Sequence, residues 1–383
     1  MTIILSEMQK EAVNQIKNWF HYDDKLLFKL VGYAGTGKST LVNAALEELK
    51  VSKDEVVMVA YTGKASLVLA TKNPKYNCCT IHRLAYTIDD DHMTTEFVLR
   101  EKEELKKLKL IIVDEASMVD ENVANDLMSF GIKMLCLGDT GQLEPINGNS
   151  TLLINPDVSL TEIHRQAADS PIIHLSMLAR QGKQIQPGKY GNNAYVISKR
   201  DITNEKLLSI CMRANQVLCG YNRTRQNMNQ KMRNAMGFFS EEPQIGEKLI
   251  CIKNNWRESI GDIFLVNGMT GTLRSIEEGE KGRNYERDFY CLNFQPDFLE
   301  EKNQFKKLNV LKSDFTSKVE QLSKFEYSVY DSFDFGHSIT VHKSQGSQWN
   351  NVVLFNEVIT SESHHKWLYT GITRAAQNLI IIV

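Results

Sequence analysis

The sequence has no long hydrophobic run; nowhere do the ~20 consecutive apolar residues needed to cross a bilayer occur. Its first residues, MTIILSEMQK, lack the charged opening, the apolar core and the small-residue cleavage site of a secretory signal. A soluble, cytoplasmic protein with no membrane partner is the expectation. Net charge is also almost absent, with 45 Lys and Arg against 47 Asp and Glu, so any site for a polyanion must be local. The seven cysteines (Cys78, Cys79, Cys136, Cys211, Cys219, Cys251 and Cys291) include no C-x-x-C pair and no histidine at zinc-finger spacing. Free thiols are expected, which excludes a disulfide scaffold and a zinc module. There is no fixed short repeat and no low-complexity tract. Hydrophobic residues at 42% and charged residues at 24% fit an ordinary globular chain. At roughly 100 to 200 residues per domain, two or three domains are expected.

What is present is an alternation of apolar runs and helical patterns. Residues 26–32 (LLFKLVG) end in glycine before a helical pattern at 38–50, and 56–61 (VVMVAY) precede a helical 64–71. Residues 108–113 (LKLIIV) precede a helical 122–130, and 134–137 (MLCL) read as a further buried strand. Such alternation predicts an α/β fold with a parallel sheet covered on both faces. Over 83–107 the rhythm fails around three adjacent aspartates, and a hairpin-like excursion is expected. Ser170-Pro171 reads as a helix start and opens a second unit, helical over 172–180 and over 211–236. Residues 244–327 carry short β-type runs (KLICI, GTLRSI, FYCLNF) between Gly, Asn and charged turns, the pattern of a small inserted β-barrel. Parallel-sheet grammar returns at 338–341, 352–355 and 379–383.

The most specific motif is GYAGTGKST, which fits G-x-x-x-x-G-K-[ST] through Gly32, Gly37, Lys38 and Ser39, between a predicted strand and a predicted helix. Glycines let backbone amides turn inward around a β-phosphate, and the helix N-terminus adds partial positive charge. Lys38 would neutralise the β and γ oxygens and the Ser39 hydroxyl would help hold Mg²⁺. At the end of LKLIIV stand Asp114 and Glu115, the first placed to bind Mg²⁺ and the second to accept a proton from the attacking water. Behind MLCL the loop GDTGQLEPI supplies Asp139 and Gln142, the latter either a phosphate sensor or a surface turn residue. Such a site needs a cationic partner for the transferred phosphoryl, commonly an arginine worth ~10³ to 10⁵ in rate. Arg165 in LTEIHRQ and Arg374 in LYTGITRAA are the two candidates.

Taken in order, the motifs resemble those of superfamily 1B helicases, the RecD and Dda branch. LSEMQKEAV with Gln9 resembles the Q motif, AYTGKAS motif Ia, TIHRL motif Ib, DEAS motif II, GDTGQLEPI motif III, LTEIHRQ motif IV, VHKSQGSQW motif V and LYTGITRAA motif VI. Motif Ia departs from the commoner APTGKAA by Tyr61, leaving Thr62 and Lys64 in place. The resemblance implies two RecA-like domains, residues 1–165 and 166–243 with 328–383. It also implies a pin-like insertion at 83–107 and an SH3-like barrel at 244–327. ATP with Mg²⁺ would lie between the two domains, touched by Gln9, Gly35, Thr36, Thr40, His164 and Gly346, with Arg165 and Arg374 reaching the γ-phosphate. His164 stands where an aromatic residue often stacks on adenine. Thr62, Lys64, Thr80, His82, Thr340, His342 and Lys343 match positions that touch the nucleic-acid backbone, and Asn222 and Arg223 lie where a further phosphate contact would fall. As hydroxyls and cations these suit phosphate oxygens and read no sequence.

The activity implied is ATP-dependent unwinding of DNA by a monomer moving 5′ to 3′ on a single strand. Its substrates would be forked or tailed duplexes, and replication or recombination proteins its partners. A translocase subunit without unwinding and a small-molecule phosphotransferase are the alternatives. Phe97 and Met93 would stack on the last base pair at the wedge, or else belong to a core. Buried packing is expected for Trp256 and Trp349.

Overall fold

The computed structural model describes residues 5–91, 94–144, 151–162, 169–261, 263–282, 287–316, 321–357 and 363–383, with the backbone alone for 88–91, 94–97 and 324. The N-terminal unit runs through α1 (Glu7–Tyr22), β1 (Leu27–Gly32), α2 (Lys38–Leu49), β2 (Val56–Ala60), α3 (Gly63–Lys72), β3 (Asn77–Thr80) and α4 (Ile81–Ala85). It continues through β4 (Tyr86–Asp91), β5 (Thr94–Leu99), β6 (Leu110–Asp114), α5 (Glu121–Ser129), β7 (Lys133–Gly138) and β8 (Val158–Leu160). Six of these strands form a parallel sheet in the order β3-β2-β6-β7-β1-β8.

The continuous apolar runs are explained by burial on both faces. Val56, Met58 and Ala60 of β2, with Leu110 and Ile112 of β6, pack with the apolar stripes of α1 and α2. Val57 and Val59, with Ile111 and Val113, face the opposite way onto Val123, Ala124 and Leu127 of α5. Period-2 alternation therefore buries every side chain, and each fully buried aliphatic contributes roughly 1.5 to 3 kcal/mol. α1 opens with a capping box in which the Ser6 hydroxyl accepts the Gln9 amide and the Gln9 side chain accepts the Ser6 amide. The expected excursion is an antiparallel hairpin, β4 with β5, running from the Tyr86–Leu99 pair to the Asp91–Thr94 pair. Tyr86 roots it by donating to Asp126 of α5 at 2.6 Å. Met93 and the Phe97 side chain lie outside the described residues.

The second unit contributes β9 (Gly188–Tyr190), β10 (Ala194–Ile197) and β11 (Gln216–Cys219). An antiparallel region follows, with β12 (Lys248–Cys251), β13 (Asn255–Ile260), β14 (Ile263–Leu265), β15 (Thr270–Glu278), β16 (Phe289–Pro296), β17 (Phe305–Leu311) and β18 (Phe333–Phe335). The chain closes with β19 (Ser338–Thr340), β20 (Trp349–Phe355) and β21 (Ala375–Ile382). The second sheet has the order β19-β11-β20-β21-β10-β9, parallel except for the β9 edge. Two RecA-like units are thus present. The expectation of a helical 211–236 fails: helices Asn204–Arg213 and Asn222–Ala235 are separated by β11, whose four residues are all buried between β19 and β20. A four-residue apolar run carries too little period to separate strand from helix, and pairing with two neighbours decides it.

The antiparallel sheet has the order β17-β16-β15-β12-β18, with β13 and β14 as a separate hairpin. Its fifth strand, Phe333–Phe335, comes from beyond the 244–327 segment. Gly336 then turns the chain directly into β19, and a Cβ there would lie 2.7 Å from the Leu249 backbone. A buried ion pair locks the entry to this sheet. Arg233 of the helix Asn222–Ala235 meets Glu247 at 2.6 Å, donates to the Glu242 carbonyl at 2.8 Å and stacks on Phe335. All seven cysteines are free, and among the described residues no helix is long and apolar enough to cross a membrane.

Removing one partner of such a pair leaves the other charge buried and uncompensated. Arg233→Met is expected to cost about 3 to 5 kcal/mol in urea denaturation. The double variant Arg233→Met, Glu247→Leu should recover most of that loss; a double variant as unstable as the single would refute this account.

Candidate nucleotide site and adjoining cleft

The loops that follow β1, β6 and β7 emerge side by side at one edge of the first sheet, because these three strands are neighbours and point the same way. Gly37 ends the β1 loop at φ 77°, a left-handed conformation that favours glycine and lets α2 begin at Lys38. Thr36 is buried and its hydroxyl donates to the Tyr33 carbonyl at 2.8 Å. The Lys38 ammonium donates to the carbonyls of Gly32 and Tyr33 and so folds along the loop. Ser39 is exposed and Thr40 half-buried in the first turn of α2, while Gly35 takes a left-handed φ of 82°. Gln9 is buried, and its amide donates to the Thr36 carbonyl at 3.1 Å. This ties α1 to the loop.

Asp114 ends β6 and accepts the Glu115 amide at 3.0 Å. Glu115 has φ 52°, a strained value for a side chain of its size, of the kind that gathers at functional sites. Burial raises the pKa of Asp114; burial and the adjacent Asp114 charge raise that of Glu115, against the pull of Arg374 and Lys38. The first sheet's carboxylates and lysine thus share a field with an arginine from the second unit. Arg374 is buried, its guanidinium held by the carbonyls of Thr370 at 3.0 Å and Ser347 at 3.2 Å and by the Thr373 hydroxyl. Gln142 is buried on the β7 loop. Arg165 and His164 lie outside the described residues.

Further contacts join the units here. Tyr369, on the helix His364–Ile372, donates to Asp139 at 2.5 Å and accepts the Ala34 amide at 2.9 Å. Leu143 donates its amide to Thr370 at 2.9 Å, and Gln345 donates to the Leu143 carbonyl at 2.8 Å. The Arg180 guanidinium lies 3.3 Å over the Tyr33 ring. Gly346, at φ 70°, approaches the first unit so closely that a Cβ would lie 3.1 Å from the Thr62 hydroxyl. It sits beside Thr62 and Met118.

Beyond Gly346 a cleft of about 260 Å³ opens between the two units and the antiparallel region. Thr62, Lys64, His82, His342 and Lys343 line it, joined by Trp256. The Lys64 ammonium donates to the Gln348 carbonyl at 2.9 Å and lies over the Trp349 ring; burial brings its pKa down to about 8. His82 stacks on Trp256 with ring centroids 4.4 Å apart, and burial pushes its pKa down to about 4. At neutral pH it is therefore an uncharged ring where a cation was expected. Burial lowers the pKa values of His342 and Lys343 as well. Thr62 and Thr80 accept the amides of Ala65 and Arg83, capping α3 and α4; Thr80 is buried, Thr340 half-buried, and Asn222 and Arg223 are exposed on a helix start that is not among the cleft-lining residues.

Tyr369 lies within LYTGITRAA, but no spacing or pattern in the sequence singles it out. Trp349 is buried as expected, but Trp256 is half-buried on the cleft wall. Its polar neighbours in NNWRES were the available signal.

Residues 4–200, more than half of the chain, match the family model of an AAA domain, and residues 335–382 match a UvrD-like helicase C-terminal domain. Over 97% of its length the chain is 24% identical to the ATP-dependent RecD2 DNA helicase of Deinococcus radiodurans, covering 48% of that protein. Over 47% of its length it is 29% identical to the ATP-dependent DNA helicase Dda of Enterobacteria phage T4, covering 43% of it. The chain therefore spans about half the length of these relatives. The crystal structure of Pif1 helicase from Bacteroides in complex with ADP-AlF3 and ssDNA is similar at TM-score 0.54 and 17% identity, over 99% of this chain and 92% of that one. That likeness concerns the fold.

A carboxyl whose pKa is raised by folding supports stability below its unfolded value and loses that support as pH rises through its folded value. Glu115→Gln should therefore melt at a higher temperature than the parent at pH 8 in the absence of nucleotide, with the gap closing towards pH 4. Thermal midpoints across that range test this, and a gap independent of pH would contradict the assigned burial of charge.

Proposed function

We propose, for a chain that belongs to the AAA-domain family and to the RecD and Dda branch of superfamily 1B helicases, an ATP-driven DNA helicase that moves along a single strand. The family binds nucleotide through its P-loop. The observation that carries the reading is the joining of the two units at the P-loop edge: Tyr369 of the second unit bridges Ala34 and Asp139 of the first, and the buried Arg374 nearby on the same unit offsets the charge of Glu115. Hydrolysis then depends on how the two units stand, and the cleft bounded by both moves with it.

In this reading the triphosphate lies on the amides of Gly35 to Thr40, and Lys38 turns from the loop carbonyls to the β and γ oxygens. Ser39 and Asp114 are hard oxygen donors that suit Mg²⁺, which would neutralise phosphate charge between them. Glu115 accepts the proton of the attacking water, a task for which a raised pKa brings a carboxylate closer to neutral pH. Gln142 orients that water, and Arg374, joined by Arg165, stabilises the charge that develops on the phosphoryl group. His164 would stack on adenine, with Gln9 holding the loop beneath it.

The strand would occupy the cleft, with Thr62, Lys64, His342 and Lys343 towards its phosphates, Thr340 just before them in the chain, and Trp256, backed by His82, towards its bases. A ring face stacks on any base, worth about 1 to 3 kcal/mol, so grip does not require sequence. Closure on ATP and opening after phosphate release would alternately tighten the two walls, a two-state switch driven by differential contacts with the γ-phosphate. The β4–β5 hairpin serves as the wedge, the antiparallel insertion as the SH3-like element of the branch, and travel runs 5′ to 3′ as in the family the motifs resemble.

ATPase assays with and without single-stranded DNA test the motor directly. Single-stranded DNA should stimulate turnover many-fold, and Lys38→Ala should abolish it; turnover indifferent to oligonucleotides would favour a small-molecule phosphotransferase. Strand displacement should require a 5′ tail, and stimulation without displacement would leave a translocase. Because Lys64 is charged only below about pH 8, strand affinity should fall between pH 7 and pH 9. Lys64→Arg should flatten that dependence in a fluorescence binding titration.

A further inference from the structure

We propose that Tyr369 is a positioning residue for hydrolysis: one phenolic oxygen joins the phosphate-binding loop, the loop after β7 and the helix that leads to Arg374, and so sets where that arginine stands relative to Glu115. The inference rests on the reading of the site given above and adds a residue to it.

The geometry is specific. Tyr369 is buried, and its hydroxyl both accepts the Ala34 amide at 2.9 Å and donates to Asp139 at 2.5 Å. Asp139 in turn accepts the Gly141 amide at 2.9 Å, so its second oxygen is aimed at the tyrosine by the turn of its own loop. A Cβ on Gly141 would lie 3.2 Å from the Tyr369 ring, so loop and ring are in close packing. The next residue, Thr370, accepts the Leu143 amide with its hydroxyl and the Arg374 Nε with its carbonyl. Two neighbouring side chains on one helical turn thus engage both first-unit loops, and the second hands its position to the arginine by a direct hydrogen bond. A phenol is suited to this because it gives and takes one hydrogen bond at a fixed reach. Burial and Asp139 keep it protonated at every working pH.

Tyr369→Phe keeps the buried ring and removes only the bridge. Steady-state ATPase at saturating single-stranded DNA is expected to show kcat lowered about 10- to 100-fold, the scale of an ångström-level misplacement, with KM for ATP changed less than about threefold. In an Arg374→Ala background the same substitution should cost nothing further, because its effect passes through the arginine. Asp139→Asn, which turns the acceptor towards a donor at nearly constant shape, should reproduce the loss. Wild-type kcat in both Tyr369→Phe and Asp139→Asn, a loss confined to KM, or an equal fold-loss with and without Arg374 would overturn the proposal. Wild-type protein assayed beside the variants separates the two readings. Turnover unaffected by DNA in the wild type removes the motor and leaves basal kcat to judge the tyrosine. Stimulated wild type with an unimpaired Tyr369→Phe removes the tyrosine alone.

Discussion

Two carboxylates side by side at the end of a buried strand are unfavourable, since each loses hydration and each repels the other. Asp114 and Glu115 are in that position, and the cations that offset them come from both halves of the molecule: Lys38 at the start of α2 for both and, for Glu115, Arg374 from the second unit. The electrostatics of the first unit are therefore incomplete without the second. This explains the density of polar contacts across the boundary at Ala34, Asp139 and Leu143, where apolar packing alone would fix neither distance nor angle. The left-handed Glu115 itself stands between the end of β6 and the short 3₁₀ turn Ala116–Met118.

Much of the first unit was legible because its information is local. A strand buried on both faces reads as an unbroken aliphatic run, and a phosphate loop reads as a fixed spacing of glycines and a lysine. The parallel sheets, the hairpin after β3 and the antiparallel region follow from such patterns. The strand Gln216–Cys219 was absorbed into a helix because four buried residues have no measurable period, and its identity comes from β19 and β20, more than 100 positions later in the chain.

The site divides in the same way. Lys38, Ser39, Asp114 and Glu115 announce themselves by spacing, whereas Tyr369 meets Ala34 across 335 positions and no local pattern encodes that meeting. The histidine of TIHRL was legible as a cleft residue but not in its charge, since its depressed pKa depends first on burial beneath a ring from the antiparallel hairpin. For Arg165 and His164 the motif alone speaks.

The passage from Phe335 through Gly336 to Ser338 has a mechanical meaning. One sheet ends and the other begins within three residues, with Gly336 pressed against the Leu249 backbone and Arg233 bolted to Glu247 alongside. So short a passage leaves only Gly336 and His337 between the two sheets, which makes the antiparallel body a direct extension of the unit that carries Arg374. That extension reaches back to the first unit at a second place, where Trp256 of the β13–β14 hairpin lies face to face with His82, so the two units are clasped at the nucleotide edge and again at the cleft.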